Sequence, residues 1–184
     1  MKILLWEDCL PHAPTVVKHC KRCDKKSGFK SSGLFRVNAQ QKKLDIWLIY
    51  KCQTCDTTWN LTVLSRVNPK SMAHDILDRY TNNDNELALK HSTDVALIKH
   101  NGAESNTADF IIHGNEYLWN EPVEIHLSTK FPIENKAASL IKQKLGLSGN
   151  AFNKLCAEGK IICTSGHNLK KAKMVDTVII QVIP

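Results

Sequence analysis

The sequence predicts an α+β protein built from three consecutive parts. A ribbon of antiparallel strands that carries four cysteines is expected over residues 1–68, an acidic helical connector over residues 69–119, and a small α+β module over residues 120–184. Three observations support this division: two C-x-x-C pairs among strand-forming segments, helix signals that begin at an Asn-Pro step, and two helical segments followed by two strand segments near the C-terminus.

The composition is that of a folded protein. With 184 residues and 42% hydrophobic side chains, the chain is long enough for one ordinary domain or for two or three small ones. No run approaches the roughly 18 consecutive apolar residues of a membrane span, and the apolar run at residues 3–6 meets Glu7 and Asp8 too early for a secretory signal. We therefore expect a cytoplasmic protein without membrane contact.

Charge is distributed unevenly along the chain, whose formal net charge is +7. Residues 1–68 contain 12 basic residues (Lys and Arg) and 5 acidic residues (Asp and Glu). Residues 69–119 contain 4 basic and 8 acidic residues, and residues 120–184 contain 9 basic and 5 acidic residues. Two basic ends around an acidic middle favour a polyanionic partner, although many equally basic proteins bind no nucleic acid.

Strand-forming residues dominate the N-terminal part. The segments that favour strands are residues 15–17, 34–37, 44–50 and 57–64. Between residues 45 and 51 the apolar run is almost unbroken, which indicates a strand in or across a small core. We expect Trp47 and Trp59 to supply much of that core.

The two C-x-x-C pairs are Cys20 with Cys23 and Cys52 with Cys55, and 28 residues separate them. Zinc is bound by four thiolates at tetrahedral corners, and each pair can supply two of them from one tight turn. The intervening stretch has room for a pair of strands, so the sequence predicts a zinc ribbon. Four protein thiolates close the coordination sphere, which predicts a structural rather than a catalytic Zn²⁺.

The remaining cysteines bear on the choice between a metal and disulfides. The total of seven is odd, and in a reducing compartment this pattern favours metal ligation. Cys9, Cys156 and Cys163 are interpreted as small buried apolar side chains. A redox dithiol is the alternative for the paired cysteines, and His19 could replace one of the four ligands.

Helix signals follow residue 68. Asn68 and Pro69 have the residue types of an N-cap and a first helical position, which predicts a helix over residues 70–80. A second helix is expected from Asn83, where Glu86 completes a capping box. The other candidates in this part are a helix over residues 93–100 and strands over residues 109–113 and 123–127.

The C-terminal part has the clearest helical periodicity. Apolar residues at positions 137, 140, 141 and 145 fall on one helix face, and Gly146 ends that helix. Ser148 is the expected N-cap of a second helix, which Gly159 ends. Two strands, over residues 160–164 and 177–183, follow with a basic loop between them.

Residues 47–69 carry a first resemblance. Their sequence, WLIYKCQTCDTTWNLTVLSRVNP, resembles an uncharacterised bacterial zinc-ribbon family that is known only as a domain of unknown function. The likeness extends over most of the chain. It implies an architecture and no particular activity.

Residues 136–164 carry a second resemblance, to the alpha-L RNA-binding motif of a ribosomal small-subunit protein, bacterial tyrosyl-tRNA synthetases and pseudouridine synthases. The matching positions are the apolar helix faces, the serine between the helices and the closing glycine: Leu140, Ile141, Leu145, Gly146, Leu147, Ser148, Ala151, Phe152, Leu155, Gly159, Lys160 and Ile161. The resemblance implies an alpha-L-like RNA-binding module with a basic two-helix face that meets structured RNA through shape and phosphate contacts. Two positions depart from the motif, because Ala138 and Gly149 stand where it has an aspartate and an arginine.

These patterns lead to the hypothesis of a non-enzymatic, zinc-containing protein that binds structured RNA, such as ribosomal or transfer RNA, through its basic C-terminal face. The candidate RNA contacts are Lys136, Lys142, Lys144, Ser148, Lys154, Lys160, Lys170, Lys171 and Lys173. The alternatives are a DNA-binding regulator and a regulatory adaptor with a protein partner. Exposed Trp6, Tyr117 or Trp119 would favour the adaptor.

An enzyme is the least favoured class. The chain contains no Gly-rich phosphate loop, no G-x-S-x-G elbow and no H-E-x-x-H pair. Asp109, His113 and His126 stay open as single polar candidates for a site.

Overall fold

The computed structural model describes residues 1–40, 42–106, 110–131, 133–174 and 177–184. The chain divides into two compact units. One, His12–Asp109, contains the paired cysteines and is called the cysteine unit below. The other joins Met1–Pro11 to Phe110–Pro184 and is called the terminal unit.

Both units combine strands with short helices, which confirms the α+β class. The strands are β1 (Lys2–Cys9), β2 (Val16–Cys20), β3 (Lys25–Gln40), β4 (Lys43–Cys52), β5 (Thr58–Val67), β6 (Glu104–Ser105), β7 (Ile111–His113), β8 (Val123–Thr129), β9 (Ile133–Lys136), β10 (Ile161–Cys163), β11 (Lys173–Met174) and β12 (Val178–Val182). The helices are α1 (His74–Thr81), α2 (Asn85–Thr93), α3 (Val95–His100), α4 (Ala137–Lys144) and α5 (Gly149–Ala157).

The cysteine unit is built on an antiparallel sheet in the order β5-β4-β3-β2-β6. Alternate side chains of β4 point into its core, as the period of a strand requires. The fully buried residues of that strand are Leu44, Ile46, Leu48, Tyr50 and Cys52. Trp59 packs beside them against Tyr50 and Phe29, as expected.

Trp47 does not contribute to that core. It lies one residue out of phase with the buried residues of β4, so its side chain is on the opposite face and only partly buried. The expectation failed because a nearly unbroken apolar run hides the alternation that decides which face each residue joins.

Helices α1, α2 and α3 belong to the same unit and bury Tyr80, Leu87 and Ile98 in the same core as the sheet. The boundary drawn at residue 68 therefore lies inside a compact unit, and the helices do not form a separate connector there. A helix face with few apolar residues buries them against whatever lies nearest, and here that is the sheet.

Two helix starts differ from those expected. Asn68 caps only a 3₁₀ turn, Pro69–Ser71, and the chain is extended at Met72 before α1 begins. Asp84, not Asn83, caps α2 by accepting a hydrogen bond from the Leu87 amide. Asn83 has a φ of 55° and uses its side chain elsewhere, accepting a hydrogen bond from the Phe35 amide at 2.7 Å.

The terminal unit contains a second sheet in the order β10-β12-β8-β1-β7. Strand β1 runs parallel to β8 and antiparallel to β7, and the other neighbours are antiparallel. No strand is predicted for residues 2–9 from the sequence, but alternation buries Leu4, Trp6 and Asp8 on one face of β1. The first eleven residues therefore belong with the C-terminal part and not with the four-cysteine ribbon.

Helices α4 and α5 complete the core of this sheet. Leu140, Ile141 and Phe152 are at most 2% exposed and pack with the buried residues of β1, β8 and β12. Gly146 and Gly159 have φ values of 65° and 70°, as expected of residues that end helices. The side chain of Ser148 accepts a hydrogen bond from the Ala151 amide at 3.2 Å, which confirms it as an N-cap.

One carboxyl group lies in the buried face of β1. Asp8 is 2% exposed, and neither of its oxygens has a hydrogen-bond partner among the described residues. Burial raises its pKa from 3.8 to about 6. Nearby, Gly114 has a φ of 128° and approaches β1 so closely that a Cβ there would lie 2.3 Å from the Leu5 carbonyl oxygen.

No helix within the described part of the chain is long and apolar enough to cross a membrane.

Candidate metal centre

The sheet of the cysteine unit brings the four cysteines to one edge. Cys20 is the last residue of β2 and Cys52 the last residue of β4, and both strands are antiparallel to β3, which lies between them. The ends of β2 and β4 therefore point the same way. In the β3 register, Cys20 is opposite Lys25 and Cys52 is opposite Phe29.

Each strand end continues into the same tight turn. The amide of Asp24 donates to the Cys20 carbonyl at 2.8 Å, and the amide of Asp56 donates to the Cys52 carbonyl at 2.9 Å. The two aspartates have φ values of 52° and 57°. Asp adopts this left-handed conformation more readily than most side chains, so each C-x-x-C-D sequence can close a tight turn that contains both of its cysteines.

The four sulfur atoms form one compact cluster. All lie within 4.8 Å of one another. The Sγ atoms of Cys20 and Cys55 are 3.5 Å apart, and those of Cys23 and Cys52 are 3.9 Å apart. A tetrahedral ion with Zn–S bonds of about 2.3 Å requires sulfur atoms about 3.8 Å from each other. These two separations lie on either side of that value.

The four thiols are not paired as disulfides. An S–S bond is about 2.05 Å long, far shorter than the two separations measured here. A redox dithiol needs only the two sulfurs of one C-x-x-C pair to lie close together. Here all four sulfurs lie within 4.8 Å of one another, and contacts of 3.5 Å and 3.9 Å join a sulfur of one pair to a sulfur of the other.

Hydrogen bonds lower the pKa of two of the four thiols, those of Cys52 and Cys55. The hydroxyl and backbone amide of Thr57 stabilise the Cys55 thiolate and lower its pKa to about 6. For Cys52, burial opposes ionisation, but the amides of Thr54 and Cys55 help to outweigh it and lower the pKa. The pKa of the Cys23 thiol rises to about 12. The largest cause is its hydrogen bond to Cys55, and desolvation by burial adds to it.

The cluster as a whole therefore retains protons that a divalent cation would displace, because metal ligation requires thiolates. Two of its members are closed off from water, since Cys20 is 1% exposed and Cys52 is 0% exposed. The other two are half-buried. A site of this kind could hold a metal ion.

His19 is not part of the cluster. Its side chain is exposed and its Nε2 lies 3.5 Å from Asp24 Oδ1. The four donors brought together are all sulfur atoms. The nearby Lys26 forms an ion pair with Glu104 at 2.9 Å.

The predicted RNA-contact residues lie on several elements of the terminal unit. Lys136 ends β9, Lys142 and Lys144 lie on α4, Ser148 caps α5, and Lys154 on α5 is within 3.8 Å of Glu158. Lys136, Lys154, Lys170 and Lys171 are exposed, and Lys142, Lys144 and Lys160 are half-buried. The side chain of Lys173 lies outside the described part of the structure.

Other candidates named from the sequence have structural roles. Trp6 is 1% exposed and donates a hydrogen bond to the Asn115 carbonyl at 2.9 Å. Tyr117 and Trp119 are half-buried against the core of the terminal unit, with ring centroids 5.0 Å apart. His126 pairs with Glu124 at 2.8 Å.

The remaining single candidates are not drawn into a site. His113 is exposed on β7. Asp109 lies outside the described residues. Cys9, Cys156 and Cys163 are half-buried, less so than expected of small core side chains.

Fold and site together define an α+β protein with a four-cysteine cluster that could hold a metal ion. A protein-family model described as "Protein of unknown function (DUF1062)" matches residues 37–167. This is well over half of the 184 residues, so the chain belongs to the DUF1062 family. The match includes Cys52 and Cys55 but begins after Cys20 and Cys23. No curated protein and no solved structure matches the chain.

Proposed function

We propose that Cys20, Cys23, Cys52 and Cys55 hold a structural Zn²⁺ and so complete a zinc ribbon. The observation that carries this proposal is the mutual approach of four sulfur atoms, at 3.5 Å and 3.9 Å for the two closest contacts. Four thiolates in a tetrahedron are the donor set of structural zinc. Cysteines that are all free thiols also fit the reducing cytoplasm, where we expect the protein to act.

The ion would join the ends of β2 and β4, which are not hydrogen-bonded to each other. Zinc sites of this kind supply on the order of 10 kcal/mol to folding. The cysteine unit, however, has an apolar core of its own. Metal removal is therefore expected to release the two C-x-x-C turns and weaken the sheet without unfolding the unit completely.

Elemental analysis of the full chain tests the proposal. One zinc per chain is expected, Cys23→Ser and Cys55→Ser should each lose it, and Cys163→Ser should keep it. Iron in place of zinc, visible as a coloured thiolate complex, would contradict the choice of metal. A chain that binds no metal after reduction and dialysis against Zn²⁺ would contradict the site itself.

We further propose a non-enzymatic, RNA-associated role, in which an alpha-L-like module in the C-terminal part binds structured RNA. Support comes from the excess of Lys and Arg over Asp and Glu, 9 against 5 over residues 120–184, and from the order of α4, a capped turn at Ser148, and α5. The apolar sides of both helices are packed on the sheet, so Lys142, Lys144 and Lys154 are the cations on their other sides.

Binding of an RNA hairpin by the full chain, measured over rising salt, tests this role. Real phosphate contacts give a steep linear loss of log affinity with log salt, and Lys142→Gln with Lys144→Gln should reduce the slope by about 1.8, at about 0.9 per contact. Lys70→Gln with Lys99→Gln is the matched control, since both lysines are exposed but lie in the cysteine unit. Flat, weak binding at every salt concentration would contradict the proposal.

The two alternatives remain outcomes of the same experiments. Equal or tighter binding of duplex DNA through the same lysines would favour a DNA-binding regulator. The adaptor has lost the support expected from its aromatic residues, because Trp6 is buried and Tyr117 and Trp119 are half-buried.

A further inference from the structure

A second basic surface lies on the cysteine unit, on the side of its sheet that faces away from the core. Strand register determines which residues share this side. Lys30 is directly opposite Lys51, and Arg36 is directly opposite Trp47, on the neighbouring strands β3 and β4. These four residues are called the lysine–tryptophan face below.

Lys30 and Lys51 are the unusual pair. Directly opposite residues in an antiparallel sheet have their Cβ atoms about 5 Å apart, and two like charges at this distance repel each other. Both side chains are exposed. In the described part of the chain no salt bridge joins either lysine to a carboxylate. On β5 the residue opposite Lys51 is the uncharged Thr58.

Two carboxylates of this sheet have their own hydrogen-bond or ion-pair partners. Oδ1 of Asp45 accepts hydrogen bonds from the Ser65 hydroxyl at 3.2 Å and the Arg66 amide at 2.8 Å. Glu104, at the other side of the sheet, pairs with Lys26. These hydrogen bonds leave the negative charge of Asp45 in place, on the same side of β4 as Trp47. Lys30 and Lys51 form no salt bridge among the described residues, so the uncompensated positive charge of the face is theirs.

Trp47 and Arg36 add a flat surface to this charge. The Arg36 guanidinium carbon lies 5.8 Å from the centroid of the Trp47 ring, so a planar cation lies over an indole on the outer side of the sheet. Trp47 and Lys51 are four residues apart on β4, which corresponds to about 13 Å along the strand at 3.3 Å per residue. Ile49 lies between them on the same side.

A solvated strand surface accounts for an Arg that lies over a Trp, because cross-strand pairs of this kind stabilise sheets on their own. It does not account for two unpaired lysines placed opposite each other, since an arrangement that costs stability calls for a compensating ligand. Anions that bridge two ammonium groups provide that compensation. The Trp47 ring on the same side of β4 favours anions that also carry planar rings.

We propose that the lysine–tryptophan face binds single-stranded nucleic acid, with Lys30 and Lys51 on backbone phosphates and a base stacked on Trp47 and Arg36. Alternating phosphates and bases match a surface that offers cations and an aromatic plane along one strand, and such surfaces bind single strands with little sequence preference. RNA and DNA share this chemistry. The face is in a different unit from the lysines of α4 and α5 and takes a different ligand, so it does not depend on the RNA role proposed above.

Fluorescence anisotropy of labelled unstructured twelve-nucleotide strands, oligo-U and oligo-dT, titrated with the full chain over rising salt, tests the proposal. Lys30→Gln with Lys51→Gln should reduce the slope of log affinity on log salt by about 1.4, at about 0.7 per phosphate of a single strand. Trp47→Ala should weaken binding about tenfold and leave the slope unchanged, because stacking is not an ionic contact. The strand that binds more tightly shows whether the face prefers RNA or DNA.

Several controls keep the result interpretable. The double glutamine variant removes a repulsion, so its melting temperature should equal or exceed that of the parent chain. Lys30→Arg with Lys51→Arg should retain binding, and so should Lys142→Gln with Lys144→Gln in the other unit. Trp47→Phe should fall between Trp47→Ala and the parent.

The proposal would be overturned by no binding of the parent chain at low salt, by equal binding of the double glutamine variant, or by loss of single-strand binding only in the α4 variant. Polyglutamate that competes as well as an oligonucleotide would also refute it, because the aromatic plane would then play no part. Failure of hairpin binding through α4 alone leaves these expectations unchanged, so the two proposals fail separately.

Discussion

Asp8 allows a quantitative test of the core of the terminal unit. In the folded protein its pKa is raised from 3.8 to about 6 because the carboxyl is 2% exposed and its oxygens have no hydrogen-bond partner among the described residues. A shift of about 2 pH units corresponds to about 3 kcal/mol, at 1.36 kcal/mol per unit. This is the cost of keeping the carboxylate ionised in the folded state.

The sign follows from linkage. Below pH 3.8 the carboxyl is protonated in both states, and the cost is absent. As the pH rises through the window from 3.8 to about 6, the unfolded chain loses its proton first, so the free energy of unfolding falls. Above that window the destabilisation is complete and constant. Asp8→Asn keeps the shape of the side chain and cannot ionise, so its stability should not change with this group.

The measurement is the difference in unfolding free energy between Asp8→Asn and the parent, obtained from denaturant unfolding and hydrogen exchange of β1 and β8. The difference should move in favour of the variant by about 3 kcal/mol between low and neutral pH. His91 titrates in the opposite sense, because burial lowers its pKa to about 4, but it cancels in the comparison. A difference that stays constant across the window would refute the reasoning.

Three further predictions concern single side chains. Gly114→Ala should cost more than about 2 kcal/mol in thermal unfolding, because the new Cβ would clash with a backbone oxygen at a positive φ. Gly149→Ala, with no atom within 4 Å of its Cβ position, is the matched control and should be neutral or stabilising. Ser148→Ala should cost about 1 kcal/mol through loss of the N-cap of α5, measured by chemical denaturation. Thr57→Val should weaken Co²⁺ or Zn²⁺ affinity about tenfold, because the Cys55 sulfur loses a hydrogen bond, measured by competition with a chelator.

Two of these predictions have close controls. Ser139 is an exposed serine inside α4, so Ser139→Ala should not destabilise the chain. Thr54 is exposed within the second C-x-x-C turn, and Thr54→Val should leave metal affinity unchanged. If the control and the test variant change equally in either pair, the assigned hydrogen bond does not carry the effect.

Short-range patterns were predicted well. The positions that end and cap α4 and α5 are determined within a few residues, by Gly146, Ser148 and Gly159, and they were identified from the sequence alone. The approach of the four cysteines was also expected. A tight turn brings together the two cysteines of each pair, and the spacing of 28 residues leaves room for the strands that bring the two pairs to one edge.

Features that depend on distant partners were not predicted. The apolar run at residues 3–6 hides the alternation of strand β1, and its partner β8 is more than 100 residues away in the sequence. The side on which Trp47 lies depends on the register of β4 with both neighbours, which a run of apolar residues leaves open. Asn83 has the residue type of an N-cap, but a bulge in β3 between Ser31 and Phe35 brings an unpaired amide within its reach.

The position of β1 has a consequence for biosynthesis. This strand leaves the ribosome before the whole of the cysteine unit, yet its parallel partner β8 is translated only afterwards. Leu4 and Trp6 therefore stay without their native neighbours while the intervening unit is made. Pairing between strands so far apart in the sequence is also slow to form. A deletion of the first ten residues would leave β8 with an open edge, and the shortened chain is expected to aggregate rather than merely to lose a flexible tail.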